Sequence, residues 1–246
     1  MEIPAALSAV KERIRSSRCA VILDIDETIL SLLGKWTEHI KLRMKLDNLT
    51  VQQIRDSGGL ENFFRSSPRY NEFKEIHGSM RESGELHSDL EIVEGALAGV
   101  QKLLEIPRLT IGCYLTTRPF HITSIAEVDI QAKGFPAAPI IARPGHVPRE
   151  STAQWKLAIL EELQRNYEGV LILVDDRIPI AKAVRERNRE SGTVIVAIVL
   201  SGPVSRANIT REGIVTCSSE HFYVADWEGI PQICSEYART QEGPDD

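Results

Sequence analysis

Five short, unbroken apolar runs constrain the fold of this chain more than any other feature. They are Ala20–Asp26 (AVILDID), Leu109–Thr116 (LTIGCYLT), Ala138–Ala142 (APIIA), Val170–Asp175 (VLILVD) and Val194–Leu200 (VIVAIVL). A strand with one face in water alternates apolar and polar residues, whereas a strand covered on both faces need not, and parallel sheets are covered on both. Helical periodicity fills the intervals at Glu94–Glu105, Thr123–Lys133, Thr152–Arg165 and Ile180–Arg189. This alternation predicts an α/β fold, a doubly wound, mostly parallel, Rossmann-like sheet with right-handed crossovers. Ser151, with Gln154 three residues on, predicts a capping box at the start of the third of these helices.

One connection is out of proportion. Residues 27–108 separate the first two strands, yet Glu94–Glu105 alone suffices for the crossover. The remainder, Leu32–Asp89, carries helical stretches at Trp36–Leu46 and Thr50–Asp56 and the aromatics Trp36, Phe63, Phe64, Tyr70 and Phe73. A loop this long inside a compact domain needs structure of its own, so a small helical cap inserted after the first strand is expected. The expected division is a catalytic core of residues 1–31 and 90–240, a cap of residues 32–89, and a polar, disordered tail at 241–246. Gly34, Gly58 and Gly59 are candidate hinges.

Composition narrows the partners. Among 246 residues, 29 Lys+Arg stand against 35 Asp+Glu, a net charge of -6 that argues against coating nucleic acid or anionic membrane but leaves room for a local basic site. Cys19, Cys113, Cys217 and Cys234 form no C-x-x-C pair and read as small hydrophobes in a reducing compartment. The first residues, MEIPAALSAVKERIRSS, carry charges where a secretion signal needs an apolar core. No apolar run approaches the ~20 residues that span a bilayer. A soluble, cytoplasmic protein without membrane contact is the expectation.

In an open α/β sheet, ligands bind beyond the carboxyl ends of the strands. The first strand delivers Asp24 and Asp26 there, and strict alternation would point both the same way. The second delivers Thr116, Thr117 and Arg118, and the fourth Asp175 and Asp176. Four converging carboxylates repel one another unless a cation joins them, and an all-oxygen ligand set suits Mg²⁺. Lys156 falls on the apolar stripe of its helix with Ala153, Leu160 and Leu163, where it either snorkels to solvent or turns its ammonium into the acidic edge.

Taken together, these segments resemble the haloacid dehalogenase (HAD)-like superfamily of phosphohydrolases. DIDETIL resembles its first motif, DxDx(T/V), and YLTTRP its second, an apolar strand ending in Ser or Thr. Lys156 resembles the third-motif lysine, and ILVDD the fourth, paired-acid motif, all in the family's order across Asp24–Asp176. The resemblance implies that Asp24 attacks phosphorus to form an aspartyl-phosphate, while Asp26 protonates the leaving group and then activates water. It implies phosphate binding by Thr116, Thr117 and Lys156. It implies Mg²⁺ held by Asp24, Asp26 (through its backbone carbonyl), Asp175 and Asp176, the last directly or through water. The second aspartate favours phosphatases over dehalogenases, which need no acid there, and Thr28 supports the turn.

The implied function is an Mg²⁺-dependent phosphatase acting on a small phosphorylated metabolite. Between Lys35 and Asp89 nine basic residues balance nine acidic ones, so no polyanion track is evident, and a polynucleotide-end phosphatase of the same superfamily is the alternative. From another class, a response-regulator-like phosphoacceptor domain also gathers acids, a hydroxyl and a lysine. There, however, the acidic pair and the acceptor lie on different strands of a shorter domain. A degenerate scaffold would have lost motif residues that are all present. Trp36, His39 and Arg43 face the site if their helix lines it, while His77, His121, Arg118 and Arg177 read first as structural or surface residues.

Overall fold

A computed structural model describes residues 3–191 and 194–240 of the chain. The expected tail at 241–246 lies outside the described residues. The chain opens with α1 (Ile3–Ile14), β1 (Cys19–Leu23) and the two-residue β2 (Leu30–Ser31). The insertion follows as α2 (Leu33–Met44), α3 (Val51–Ser57), α4 (Leu60–Phe64) and α5 (Tyr70–Glu82), closed by β3 (Glu91–Ile92). Then come α6 (Ala96–Leu104), β4 (Leu109–Pro119), α7 (Thr123–Ala132), β5 (Ile140–Arg143), α8 (Thr152–Gln164) and β6 (Val170–Asp175). The last elements are α9 (Ile178–Ser191), β7 (Ile195–Leu200), α10 (Ser205–Glu212), β8 (Phe222–Ala225) and α11 (Ile230–Thr240).

Six strands form one sheet in the order β5-β4-β1-β6-β7-β8, every pairing parallel. Alternate residues of each strand enter two separate cores. Cys19, Val21 and Leu23 pack with residues of α6, α7 and α11; Ala20 and Ile22 pack with α1, α8 and α9. Both faces are covered, which is why the strands read as unbroken apolar runs. Gly112 is an extra residue in β4, where the register steps from Val21↔Ile111 to Ile22↔Cys113. A Cβ there would stand 2.9 Å from Ile22 Cδ1 and 3.1 Å from Ile14 Cγ2, so a side chain at the bulge would press on both isoleucines. Gly95 and Gly99 serve packing in the same way, because a Cβ at Gly99 would stand 2.5 Å from the Trp227 ring.

The insertion rises from a short antiparallel ladder of β2 and β3, Leu30↔Ile92 and Ser31↔Glu91. Its helices share a core of Trp36, Ile40, Met44, Ile54, Phe64, Phe73 and Met80 that is continuous with one face of the sheet. Phe64 and Phe73 stack with ring centroids 4.5 Å apart, and Phe73 and His77 at 4.9 Å. Asn208 of α10 grips the far side, donating to the Gly58 carbonyl at 2.9 Å. Gly34 is the second residue of α2, just past β2, and Gly58 ends α3 in a left-handed conformation.

Three expectations need correction. Ser151 makes no side-chain cap, because its backbone (φ -95°, ψ 7°) already belongs to a tight turn; the capping box of this chain is Thr50 with Gln53, at the start of α3. Strand β1 ends at Leu23, not Asp26. Helices α1, α10 and α11 and the edge strand β8 complete a fold for which the five runs supplied no strand at Phe222–Ala225. Among the described residues no helix is long and apolar enough to cross a membrane.

Candidate active site

The order β4-β1-β6 sets the carboxyl ends of the three motif-bearing strands side by side. Leu23 pairs with Val174, and the next amide, Asp24 N–H, donates to the Val174 carbonyl at 2.9 Å. Asp24 and Asp175 are therefore neighbours on adjacent strands. Their phase is that of Ala20, Ile22, Leu171 and Leu173, which face the core containing α8. On α8, Thr152, Lys156, Ile159, Leu160 and Leu163 are the buried positions, so Lys156 is aimed at the same place from above.

The Lys156 ammonium lies 2.6 Å from Asp24 Oδ1 and 2.7 Å from Asp175 Oδ2, with the lysine only 1% exposed. Of its two sequence alternatives, the inward one holds. The other oxygen of Asp175 accepts the Arg177 backbone N–H at 2.9 Å. Asp24, Asp175 and Asp176 each offer a carboxylate oxygen, and these atoms lie within 4.8 Å of one another. Burial raises the Asp24 carboxyl against the lowering pull of Lys156, and burial with the charges of Asp175, Asp24 and Glu27 raises Asp176 well above the carboxylate range. Burial alone would lower Lys156, but Asp175 and Asp24 override it and the net direction is up. The buried carboxylates of Asp24 and Asp175 share one ammonium, and half-buried Asp176 adds a third carboxylate beside them. That deficit of positive charge and the hard oxygen donors fit a divalent cation, which Asp24, Asp175 and Asp176 can hold.

Asp26 stands apart from that trio. Past Asp24 the chain leaves strand geometry and turns back: Glu27 adopts φ 57°, its N–H donates to the Leu30 carbonyl at 2.8 Å, and Leu30 N–H donates to the Ile25 carbonyl at 3.0 Å. The Asp26 carboxylate consequently meets Arg118, whose Nε and Nη2 donate to Oδ1 at 2.9 and 2.6 Å. The strand ends before both aspartates, so alternation does not orient them, yet Asp26 is near enough for its charge to raise the Asp24 carboxyl. The carboxylate of Glu27 caps α2, accepting the Leu32 and Leu33 amides at 2.7 and 3.0 Å; burial pushes it up to about 7 despite those donors. Thr28 lies buried in the turn, its carbonyl accepting the Trp227 indole N–H at 2.9 Å.

Thr116 is buried on β4, two residues past the Leu23↔Tyr114 pair, and its hydroxyl accepts the Arg118 N–H at 3.2 Å. Thr117 lines a cleft of about 270 Å³ beside Asp26 and Arg118. The insertion supplies the opposite wall with Trp36, Arg81 and His87. Trp36 and Arg81 also border a second cavity of about 660 Å³ that reaches Glu27 and Asp176. Of the three α2 residues expected to face the site, Trp36 lines the cleft, while His39 and Arg43 are not among its lining residues and Arg43 is exposed.

His77 stacks inside the insertion, and its Nε2 accepts from Arg81 Nε and Nη2 at 3.3 and 3.2 Å. His121 is exposed, with Nε2 donating to the Glu82 carbonyl at 3.2 Å. Arg118 pairs with an acid, as a loop arginine is expected to, but it is buried and the acid is a motif residue. Arg143 escaped the sequence reading although it ends strand β5, the same signal that found Asp175. Glu27, Arg81, His87 and Arg149 lie off every strand end and carry no such signal.

No protein-family model matches the chain, and no curated protein matches it. Two of the solved structures that resemble it are hydrolases. One is a HAD-superfamily hydrolase, subfamily IA, variant 1, from Geobacter sulfurreducens PCA, 14% identical, with TM-score 0.44 over 88% of this chain and 96% of that one. The other is a HAD hydrolase, family IA, variant 3, from Entamoeba histolytica HM-1:IMSS, 14% identical, with TM-score 0.49 over 89% of this chain and 99% of that one.

Proposed function

We propose that this chain is an Mg²⁺-dependent phosphatase of the HAD-like superfamily that hydrolyses a small phosphate monoester through an aspartyl-phosphate. The observation that carries the reading is the buried Lys156 ammonium bridging Asp24 and Asp175. A nucleophilic carboxylate needs a neighbouring cation that will also accept the charge of the transferring phosphoryl group, and Lys156 supplies it. Bound Mg²⁺ supplies charge neutralisation for the phosphoryl oxygens, with Asp24, Asp175, Asp176 and the Asp26 carbonyl as its holders.

The chain's own residues account for both halves of the reaction. Asp24 attacks phosphorus, the ester P–O bond breaks, and Asp26 gives its proton to the leaving oxygen. Asp26 then takes a proton from water, whose oxygen attacks the same phosphorus. The bond to Asp24 breaks, inorganic phosphate leaves, and both aspartates return to their starting states. Thr116, Thr117 and Lys156 bind the phosphoryl group. Residues 32–89 act as a cap over the core of residues 1–31 and 90–240, shielding the intermediate from stray water. The free thiols of Cys19, Cys113, Cys217 and Cys234 suit a reducing, cytoplasmic setting.

Turnover of an aryl phosphate, with and without Mg²⁺, tests the proposal. Activity that requires Mg²⁺ and is lost in Asp24→Asn is expected; activity that survives the substitution overturns it.

A further inference from the structure

The cleft is positive in a chain that is negative. Five arginines line it against three acids, Asp26, Glu61 and Glu82, whereas the whole chain carries -6. One arginine, Arg118, is committed to Asp26. The other four, Arg81, Arg143, Arg149 and Arg177, have no carboxylate within 4.0 Å among the described residues. Three are instead held by neutral groups. Arg81 donates to His77 Nε2; Arg143 donates to the Thr117 and Val147 carbonyls at 3.2 and 2.7 Å; Arg177 donates to the Thr152 hydroxyl at 3.2 Å. Burial pushes the Arg149 guanidinium down, and Arg177 adds to this against the opposing charges of Glu61 and Glu150.

The transferring phosphoryl group does not need these four. Its site, at Asp24, Asp175 and Asp176, is acidic and already has Lys156. Guanidiniums present planar paired donors that match carboxylate and phosphate oxygens. Two of them, Arg81 and Arg149, come from separate segments on opposite walls, so an anion between them would also tie the insertion to the core. The space, about 270 Å³, falls below the roughly 300–1,000 Å³ of drug-sized ligand sites and suits a small molecule rather than a polymer end.

We propose that the substrate is a small phosphate monoester bearing a second anionic group, a carboxylate or a second phosphoryl, which Arg81, Arg143, Arg149 and Arg177 receive in the cleft they share with Asp26 and Thr117. The inference rests on the phosphatase reading for the first group, and its test separates the two. Calorimetry on the full chain with Mg²⁺ compares three non-hydrolysable ligands of matched length: propylphosphonate, phosphonopropionate and propylene bisphosphonate. One of the two doubly anionic ligands is expected to bind tighter than propylphosphonate by about ten-fold or more, the strength of one charge-assisted hydrogen bond, and which one identifies the second group. Arg149→Met and Arg81→Met are expected to shrink that ratio towards one. Equal binding of all three ligands by the unaltered chain overturns the inference whatever the turnover assay shows. So does a ratio that survives both substitutions, or preference for a phosphorylated oligonucleotide end over every small ester. Failure of aryl phosphate turnover, with the binding ratio intact, overturns the phosphatase reading alone.

Discussion

Arg118 gives both its Nε–H and its Nη2–H to a single oxygen of Asp26, Oδ1, so that Oδ2 accepts from no described group. The arginine is itself buried, fixed by its own N–H to Thr116, and its Nη1 reaches the His87 carbonyl at 3.4 Å. A carboxylate anchored by one oxygen keeps its direction while its second oxygen stays available for a proton. Arg118→Met should preserve volume and lose the anchor, lowering kcat by about 10²-fold, as misplacement of a catalytic group does. The KM for an aryl phosphate should stay within about two-fold. Equal losses in binding and kcat would mean that Arg118 holds substrate and not Asp26.

Lys156→Met removes the one ammonium between buried carboxylates. Breaking a buried pair by deleting one partner costs about 3–5 kcal/mol. For a chain of this size that corresponds to a fall of about 10 °C in melting temperature without metal. Adding Mg²⁺ should recover more stability in the variant than in the parent, because the acidic centre of the variant lacks its resident cation. Scanning calorimetry of both proteins, with and without Mg²⁺, reads both effects.

Mg²⁺ binding should itself be visible as stability. At a hundred-fold excess over Kd a ligand that binds only the folded state adds about 2.7 kcal/mol, or about 5–10 °C here. Asp176→Asn is the diagnostic variant. Burial and three neighbouring acids press the Asp176 carboxyl towards its neutral form, so the amide should raise the melting temperature of the metal-free protein. The same change should reduce the Mg²⁺-induced increment. An unchanged increment would remove Asp176 from the metal site.

How much of this was legible in the sequence follows from what each residue depends on. Asp175 and Asp176 follow from position at a strand end and Thr116 from position near one, since β4 runs on to Pro119, and a parallel sheet brings such ends together. Periodicity put Lys156 on the inner stripe of its helix, but a stripe gives the face of a helix and not the place where a long side chain ends. The Asp26–Arg118 pair depends on the reversal at Glu27, where a left-handed residue breaks the alternation that a strand would have imposed. Strand β8 was invisible because an edge strand has only one neighbour, and Tyr223, Val224 and Ala225 are half-buried within four residues. Arg81 and Arg149 reach the cleft from separate segments, and only the folded insertion brings them to it.

His77 makes the insertion acid-sensitive. Its ring lies between Phe73 at 4.9 Å and Trp36 at 5.3 Å, and burial, with the charge of Arg149, pushes its pKa down to about 4. In the unfolded chain it titrates near 6.5. Between these values the unfolded state binds a proton that the folded state refuses, so stability falls as pH is lowered from about 6.5 to about 4 and then levels off. The difference in pKa corresponds to about 3 kcal/mol for this residue. Protonation would also place a positive ring against the Arg81 guanidinium, which now donates to Nε2. His77→Phe keeps the stacking and removes the titration. Urea unfolding at pH 7 and pH 4 should therefore show a stability loss smaller by about 3 kcal/mol in His77→Phe than in the parent. An equal loss in the two proteins would assign the acid sensitivity to other groups, and the aromatic cluster would then be indifferent to the charge on His77.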